Sequence, residues 1–196
     1  MPSLSQLVAV PNLLTMLRLF VLPFLVIEIL DSEWKVAFVL LWIAGVTDGL
    51  DGLLARLLKQ KTTLGQYLDP IADKLLLSTL FVVLTHVDLI PRYVTVLVFS
   101  RDLGILLIST LLYITNTLRD FRPSWLGKAS TGVQIIAVLV VMTSQALPGW
   151  RFAFCQYWLL MGVAWLAPLS AAQYAWIVLR RVNSGGGGAA PTAVTA

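Results

Sequence analysis

Six apolar runs, each close to the length of a membrane crossing, dominate this 196-residue sequence. A helix needs about 20 consecutive apolar residues to cross the hydrocarbon core of a bilayer. The chain is 58% hydrophobic and only 12% charged, which is outside the usual range of soluble globular domains. The runs cover residues 13–30, 36–55, 71–87, 93–117, 131–147 and 157–179. The sequence therefore predicts an all-α, polytopic membrane protein with six transmembrane helices.

The two ends of the chain carry different signals. Pro11 and Asn12 are typical of a helix start, with Asn12 as the N-cap, so a short N-terminal interfacial helix is expected before the first crossing. There is no basic segment typical of a signal peptide, and Arg18 interrupts the first run, so that run is expected to remain in the protein. The glycine-rich residues 184–196 are predicted to be a disordered tail, which leaves 1–183 as one membrane domain.

Basic residues predict the orientation in the membrane. With six crossings, both termini and the loops after the second and fourth crossings share one side. That side would hold Arg56, Lys59, Lys61, Arg119, Arg122, Lys128, Arg180 and Arg181, against only Lys35, Arg92 and Arg151 opposite. The positive-inside rule places the richer side in the cytoplasm. The net charge of +4 then reflects topology rather than nucleic-acid binding. A bacterial inner membrane and an organelle inner membrane are both compatible with this orientation, and the absence of a transit-like presequence favours the bacterial one.

Four aspartates interrupt this apolar pattern near the predicted cytoplasmic face. Asp48 and Asp51 lie late in the second run, and Asp69 and Asp73 lie where the third begins. Charged residues in a bilayer cost roughly 2.5–3.5 kcal/mol each, so the four need compensation. At 100° per residue each pair shares one helix face, and the short connection makes the two helices antiparallel. The sequence therefore predicts that the four carboxylates face one another across a groove.

Converging carboxylates of this kind are typical of a site for divalent cations. Two such cations would neutralise four carboxylates, and oxygen ligands suit Mg²⁺, Mn²⁺ or Ca²⁺ rather than zinc. The single Cys155 and the single His86 have no metal-ligand partners nearby in sequence. Arg56 could contact a phosphate held beside the cations.

Taken one at a time, several of these residues are also compatible with a purely structural role. Asp69 before Pro70 is typical of an N-cap followed by proline in the first turn. A stripe of small residues beside the acids, called the glycine stripe below, could serve helix packing or the close approach of a ligand; it comprises Gly45, Gly49, Gly52 and Ala55. Arg56 could simply extend to the membrane boundary. No such role accounts for Asp48, Asp51 and Asp73 together.

The aspartates form part of a longer pattern, D-x-x-D-G-x-x-A-R, eight residues, then G-x-x-x-D-x-x-x-D. Its specified positions are Asp48, Asp51, Gly52, Ala55, Arg56, Gly65, Asp69 and Asp73. This pattern resembles the signature of the CDP-alcohol phosphotransferases. The resemblance implies a six-span homodimeric membrane enzyme that transfers a substituted phosphoryl group from a CDP-linked donor to an alcohol and releases CMP.

The resemblance also implies roles for these residues. Asp48, Asp51 and Asp69 would be ligands of two divalent cations, Mg²⁺ or Mn²⁺. Asp73 would be both a ligand and the general base for the acceptor hydroxyl. Gly52 would admit the cytidine nucleotide, and Arg56 would pair with its diphosphate.

Further segments resemble the glycerophospholipid branch of this family, and most closely its CDP-diacylglycerol-dependent cardiolipin synthases. They are PNLLTMLR, residues 11–18, the HVDLIP and SRD segments within 84–107, and GKASTGVQ, residues 127–134. The expected donor is CDP-diacylglycerol, and the expected acceptor is phosphatidylglycerol. Glycerol 3-phosphate is the alternative, because phosphatidylglycerophosphate synthases share much of this pattern. Phosphatidylglycerophosphate synthases often have a glutamate at the position of Asp102, so the aspartate favours phosphatidylglycerol as the acceptor.

Two basic side chains are predicted to bind the acceptor's phosphate. Arg101 lies inside the fourth run and Lys128 precedes the fifth, both near the cytoplasmic side. Alternatively Arg101 pairs with Asp102 or another acid, and Lys128 extends to the interface.

Hypotheses from other classes are a cation or proton transporter and a structural lipid-binding protein. Membrane carboxylates often line ion paths, but transporters favour midplane sites in repeated halves. Here the acids cluster towards one face and no internal repeat is visible.

Overall fold

Six helices make up the computed structural model, which describes residues 10–57, 63–114, 125–147 and 153–185; side chains are described for 13–50, 71–108, 125–147 and 154–180. No strand occurs within these ranges. The helices are α1 (Val10–Leu30), α2 (Trp34–Leu57), α3 (Thr63–His86), α4 (Arg92–Ile114), α5 (Trp125–Ala146) and α6 (Ala153–Gly185). The all-α prediction is confirmed for these residues.

Three of the six helices are long and apolar enough to cross a membrane by length and composition: α1, α5 and α6. The other three, α2, α3 and α4, have comparable lengths of 23 or 24 residues. They also contain charged residues of the acidic signature and of the SRD segment, which lower their hydropathy. Six crossings therefore remain a prediction.

The helices extend further than the apolar runs that predicted them. α3 begins at Thr63 and continues through Pro70, so Asp69 lies well inside a helix, and its interpretation as an N-cap was wrong. Asp73 likewise lies near the middle of α3 rather than at its start. α1 already includes Pro11 and Asn12, so Asn12 does not cap the first crossing. Helical hydrogen bonding continues through polar residues at which a hydropathy run stops.

Two predicted end segments lie largely outside the described residues. Residues 1–9, where an interfacial helix was expected, are not among them. α6 includes Ser184 and Gly185, the first two residues of the predicted tail, and the rest of that tail is not described. The boundary at residue 183 remains a prediction.

Tight turns join α1 to α2 and α3 to α4. Each contains one residue with a positive φ: Ser32 at 62° and Asp88 at 56°. In the first turn the backbone N–H of Glu33 donates to the Glu28 carbonyl oxygen at 2.9 Å, which satisfies a carbonyl at the end of α1. Both turns make the helices they join antiparallel.

Packing places α1 beside the two acidic helices, α2 and α3. α1 contacts α2 most extensively and α3 next, while α6 contacts α5 and α4. The core between the helices contains fully buried Leu25, Ile29, Phe81, Leu84 and Met142. Large apolar side chains such as Phe20, Leu107 and Trp165 are exposed on the outside. An apolar exterior around an equally apolar core is the arrangement expected of a protein whose solvent is lipid.

Candidate active site

A buried arginine joins two of the predicted acidic residues. Arg18, in the middle of α1, is only 1% exposed, and its Nη2 donates to Asp48 Oδ1 of α2 at 2.8 Å. Its Nη1 donates to Asp73 Oδ1 of α3. Because the two terminal nitrogens of one guanidinium are neighbours, the carboxylates that they bind are close to each other as well. The structure thus confirms that the acidic faces of α2 and α3 converge at Asp48 and Asp73.

Both carboxylates remain accessible from outside the protein. The side chains of Asp48 and Asp73 are 50% and 49% exposed, although Arg18 beneath them is buried. Thr47, beside Asp48, turns its hydroxyl back to the carbonyl oxygens of Ile43 and Ala44, both at 2.9 Å. The acidic pair is therefore the polar group that faces outwards at this position.

The remaining signature residues lie on the same two helices. Asp51, Gly52 and Arg56 belong to the last turns of α2, and Asp69 belongs to α3, one turn before Asp73. Their side chains lie outside the described residues. Where side chains are described, Asp48 and Asp73 are joined by no third histidine, cysteine or acidic residue in a group that could hold a metal ion. The two carboxylates are oxygen donors of the kind that Mg²⁺ and Mn²⁺ prefer, so they fit as a part of such a site.

An apolar groove begins at the acidic pair. It has a volume of about 350 Å³ and lies between α2, α3 and α5, with Asp48 and Asp73 among its lining residues. Most of its lining is aliphatic, including Leu41, Leu77 and Val138. A mostly apolar cavity with a few convergent polar groups is typical of a ligand site. This one suits a molecule with a polar head and an apolar tail.

The glycines of α2 leave this side of the helix open. A Cβ atom added at Gly45 or at Gly49 would meet nothing within 4 Å, and Gly45 lines the groove. Within the described part of the chain, these two glycines are not used for close helix packing. Of the two interpretations of the glycine stripe, the approach of a ligand or of another chain fits Gly45 and Gly49 better.

The two basic side chains predicted to bind the acceptor's phosphate line the same second cavity. Arg101 of α4 and Lys128 of α5 both line a space of about 500 Å³, together with Tyr174 of α6. Lys128 is exposed, whereas Arg101 is 9% exposed. The structure therefore brings Arg101 and Lys128 to one cavity.

Arg101 is also engaged within the protein. Its Nη1 donates to Asp102 Oδ1 at 2.7 Å, its Nε to Ser170 Oγ at 3.0 Å, and its Nη2 to the Gly127 carbonyl oxygen at 3.4 Å. The alternative interpretation, in which Arg101 pairs with Asp102, is thus confirmed, while Arg101 still lines the cavity. These bonds connect α4 to α5 and α6 around the cavity.

A third, smaller cavity of about 190 Å³ links Asp73 to this network. Its lining includes Asp73, Asp102, Thr131 and the buried Gln134. At its edge, Lys74 Nζ donates to Asp102 Oδ2 at 3.2 Å. Asp102 therefore forms ion pairs with Lys74 of α3 and with Arg101 of α4. Thr131 lines all three cavities and so lies where they meet.

Sequence reasoning did not assign a site role to Arg18 or to Lys74. Arg18 carried a signal, since a charged residue within the first apolar run needs a partner. The identity of that partner depends on the packing of α1 against α2 and α3, which hydropathy does not reveal. Lys74 follows Asp73 directly, and only the position of α4 shows that it pairs with Asp102.

These features define a helical membrane protein with an acidic, outward-facing centre at the end of an apolar groove. The sequence profile of the family named CDP-alcohol phosphatidyltransferase matches residues 8–178, which include all of these site residues. The chain belongs to this family.

Relatives within the family carry two kinds of name. The chain is 37% identical to a cardiolipin synthase (CMP-forming) of Rattus norvegicus over 74% of its own length and 52% of the relative's. It is 31% identical to a putative cardiolipin synthase of Mycobacterium bovis, covering 90% of this chain and 88% of the relative. It is also 31% identical to a CDP-diacylglycerol–glycerol-3-phosphate 3-phosphatidyltransferase of Bacillus subtilis, covering 67% of this chain and 75% of the relative. The chain spans about half the length of the rat and human relatives that it matches.

Proposed function

We propose that this protein transfers a phosphatidyl group from CDP-diacylglycerol to phosphatidylglycerol, forming cardiolipin and CMP. The observation that carries the proposal is the position of Asp48 and Asp73, which meet at the polar end of an apolar groove. A lipid donor needs this combination, because its diphosphate and its acyl chains must be held by adjoining but chemically different surfaces.

The reaction requires one bond to form and one to break at the same phosphorus. The oxygen of the acceptor hydroxyl forms a bond to the phosphorus that carries diacylglycerol, and the bond from that phosphorus to the CMP oxygen breaks. The hydroxyl proton passes to the Asp73 carboxylate, and CMP leaves with the electron pair of the broken bond. Asp73 is suited to this role because it lines both the proposed donor groove and the small cavity of about 190 Å³.

Two divalent cations, Mg²⁺ or Mn²⁺, are proposed to be held by Asp48, Asp51, Asp69 and Asp73. When bound, they would neutralise charge on the diphosphate and on the departing CMP. Gly52 and Arg56 are proposed to contact the nucleotide and its diphosphate. Support for these assignments comes from the match to the family signature and from the convergence of Asp48 and Asp73 on Arg18.

The acceptor's phosphate is proposed to bind in the cavity of Arg101 and Lys128. Arg101 is held in place by Asp102, Ser170 and the Gly127 carbonyl, so it presents a fixed positive charge. Lys128 is exposed and can close onto an anion. From this cavity an acceptor would reach Asp73 past Thr131.

Glycerol 3-phosphate is the second candidate acceptor, and it would give phosphatidylglycerophosphate. The similarity to the Bacillus subtilis relative favours it, because the name of that enzyme specifies this acceptor. Both acceptors contain a phosphate, so Arg101 and Lys128 suit either one. Proteins named cardiolipin synthase match a longer part of this chain, 74% for the rat relative against 67% for the Bacillus subtilis one, and this favours phosphatidylglycerol.

The setting of the enzyme is also a proposal. Six transmembrane helices, a homodimer and a site that faces the cytoplasm of a bacterial inner membrane agree with the charge asymmetry of the sequence and with the family. Membership of a transferase family argues against the transporter hypothesis. A purely structural lipid-binding role would give no CMP.

The test is CMP release by purified protein in mixed micelles containing CDP-diacylglycerol and Mg²⁺ or Mn²⁺. Phosphatidylglycerol and glycerol 3-phosphate are supplied separately, and the product is identified by mass spectrometry. Metal-dependent formation of cardiolipin would support the proposal, whereas turnover with glycerol 3-phosphate alone would establish the second candidate. Absence of CMP with both acceptors would refute both.

Matched variants connect the activity to the site. Removing a general base costs about 100-fold or more in rate, so Asp73→Asn is expected to lose CMP release while remaining folded. Asp31→Asn is the control, because Asp31 is an exposed acid in the turn between α1 and α2, away from the acidic pair. Equal activity of Asp73→Asn and Asp31→Asn would contradict the role of Asp73.

A further inference from the structure

We infer that Arg18 is a positioning residue that holds Asp48 and Asp73 together before any cation binds. The inference rests on the proposed function for the identity of the cations, and its subject is a residue outside the aspartate signature. Arg18 belongs to α1, whereas all the proposed cation ligands belong to α2 and α3.

The burial of Arg18 is the first argument. Arg18 is the largest of the fully buried side chains among the described residues, at 1% exposure in an otherwise apolar helix. A charged group in such a place is costly unless it is paired and hydrogen-bonded. Asp48 and Asp73 supply that pairing from two different helices. The two acids therefore offset part of the cost of burying Arg18.

Arg18 also acts on the two acids. Two carboxylates this close repel each other, and the repulsion would push α2 and α3 apart or force a carboxylate to take up a proton. One guanidinium offers two parallel donors with a fixed separation, which a lysine ammonium cannot imitate. Arg18 therefore sets the spacing between Asp48 and Asp73 as well as reducing their charge.

The direction of the contacts leaves room for a ligand. Arg18 approaches both carboxylates from the buried side, and each carboxylate keeps about half of its surface exposed. The exposed sides face the groove that both acids line. Arg18 thus neutralises part of the charge of the two acids from their buried side in the absence of metal. Divalent cations would neutralise that charge from the exposed side.

This arrangement makes a specific prediction about stability. In EDTA, Arg18→Met should lower the melting temperature of the full chain in detergent by about 5 °C or more, because it removes the guanidinium that both neighbouring acids bind. Mn²⁺ should then raise the melting temperature of Arg18→Met by more than it raises that of the unmodified protein. Arg18→Lys keeps the charge but loses the paired donors, so its melting temperature in EDTA should lie between those of Arg18→Met and the unmodified protein.

Controls separate this role from simple support of the fold. Arg180→Met removes an arginine of α6 that lies 5.0 Å from the Trp176 ring, and it should match the unmodified protein in EDTA and in Mn²⁺. The double variant Arg18→Met with Asp73→Asn removes a cation and an acid together, and should be more stable in EDTA than Arg18→Met alone. This comparison also applies if Arg18→Met alone does not fold.

Two results would overturn the inference. One is an Arg18→Met protein that is destabilised in EDTA but gains no more from Mn²⁺ than the unmodified protein, which would make Arg18 a structural residue only. The other is a double variant that is no more stable than Arg18→Met. Neither measurement uses CMP release, so a protein without transferase activity would refute the proposed function and leave this comparison intact.

Discussion

Replacing Gly45 with leucine should separate the stability of this protein from its use of a lipid donor. Gly45 lies in α2 and lines the apolar groove, and a Cβ atom at this position would meet nothing within 4 Å. Glycine inside a helix costs roughly 0.5–1 kcal/mol relative to alanine, so a substitution without steric conflict should not lower stability. Gly45→Leu is therefore expected to melt at the same temperature or a few degrees higher.

The same leucine would occupy space that the proposed donor uses. If it displaces two methylene groups of an acyl chain, the loss is about 0.8 kcal/mol each, or about 1.6 kcal/mol in total. That corresponds to a rise of about 10-fold in the KM for CDP-diacylglycerol. The KM for the acceptor should change little, because the cavity of Arg101 and Lys128 is separate from Gly45.

The assay measures CMP release against the surface concentration of CDP-diacylglycerol, alongside thermal unfolding in detergent. Gly104→Leu is the matched control, since Gly104 of α4 also has open space around it and lines none of the cavities described above. If the donor KM of Gly45→Leu equals that of Gly104→Leu, the donor's acyl chains do not use this groove. A loss of stability in Gly45→Leu would show instead that Gly45 packs against another copy of the chain.

Three further predictions concern other parts of the structure. Lys128→Met should raise the acceptor KM about 10-fold or more without changing the donor KM, since it removes a charged hydrogen bond to a phosphate; equal changes in both constants would contradict the assignment. Asp102→Asn should reduce the free energy of unfolding by about 3 kcal/mol, because Asp102 pairs with cations from two helices; thermal unfolding tests this, and an unchanged melting temperature would refute it. Thr95→Val removes a 2.5 Å bond between the Thr85 and Thr95 hydroxyls, so it should cost about 1 kcal/mol of stability and leave CMP release unchanged; loss of activity in a folded protein would be the contrary result.

Much of the architecture could be predicted because hydropathy and charge act locally along the chain. Each apolar run corresponds to one helix, and the convergence of Asp48 and Asp73 followed from helical periodicity and an antiparallel connection. Helix ends were less predictable. α3 starts at Thr63 rather than at Ile71 because its polar first turns still form a helix, although they would be unfavourable in the centre of a bilayer.

Tertiary pairing was the part that the sequence left open. Arg101 had two candidate partners, a ligand phosphate or a neighbouring acid, and nothing in the sequence chose between them. The structure pairs it with Asp102 and Ser170 while also placing it at a cavity. Arg18 shows the same limit, since its partners come from helices that lie 30 and 55 residues further along the chain. Such contacts depend on how helices pack, which a local pattern does not specify.

Three cavities share Thr131 as a lining residue, and this bears on where the two proposed substrates would meet. The donor is proposed to occupy the apolar groove, and the acceptor's phosphate is proposed to bind at Arg101 and Lys128 in the second cavity. Displacement at phosphorus requires the incoming and leaving oxygens to be roughly in line. Thr131 lines both cavities and Asp73 lines the groove, so the donor's phosphorus and the acceptor's hydroxyl would meet near these two residues.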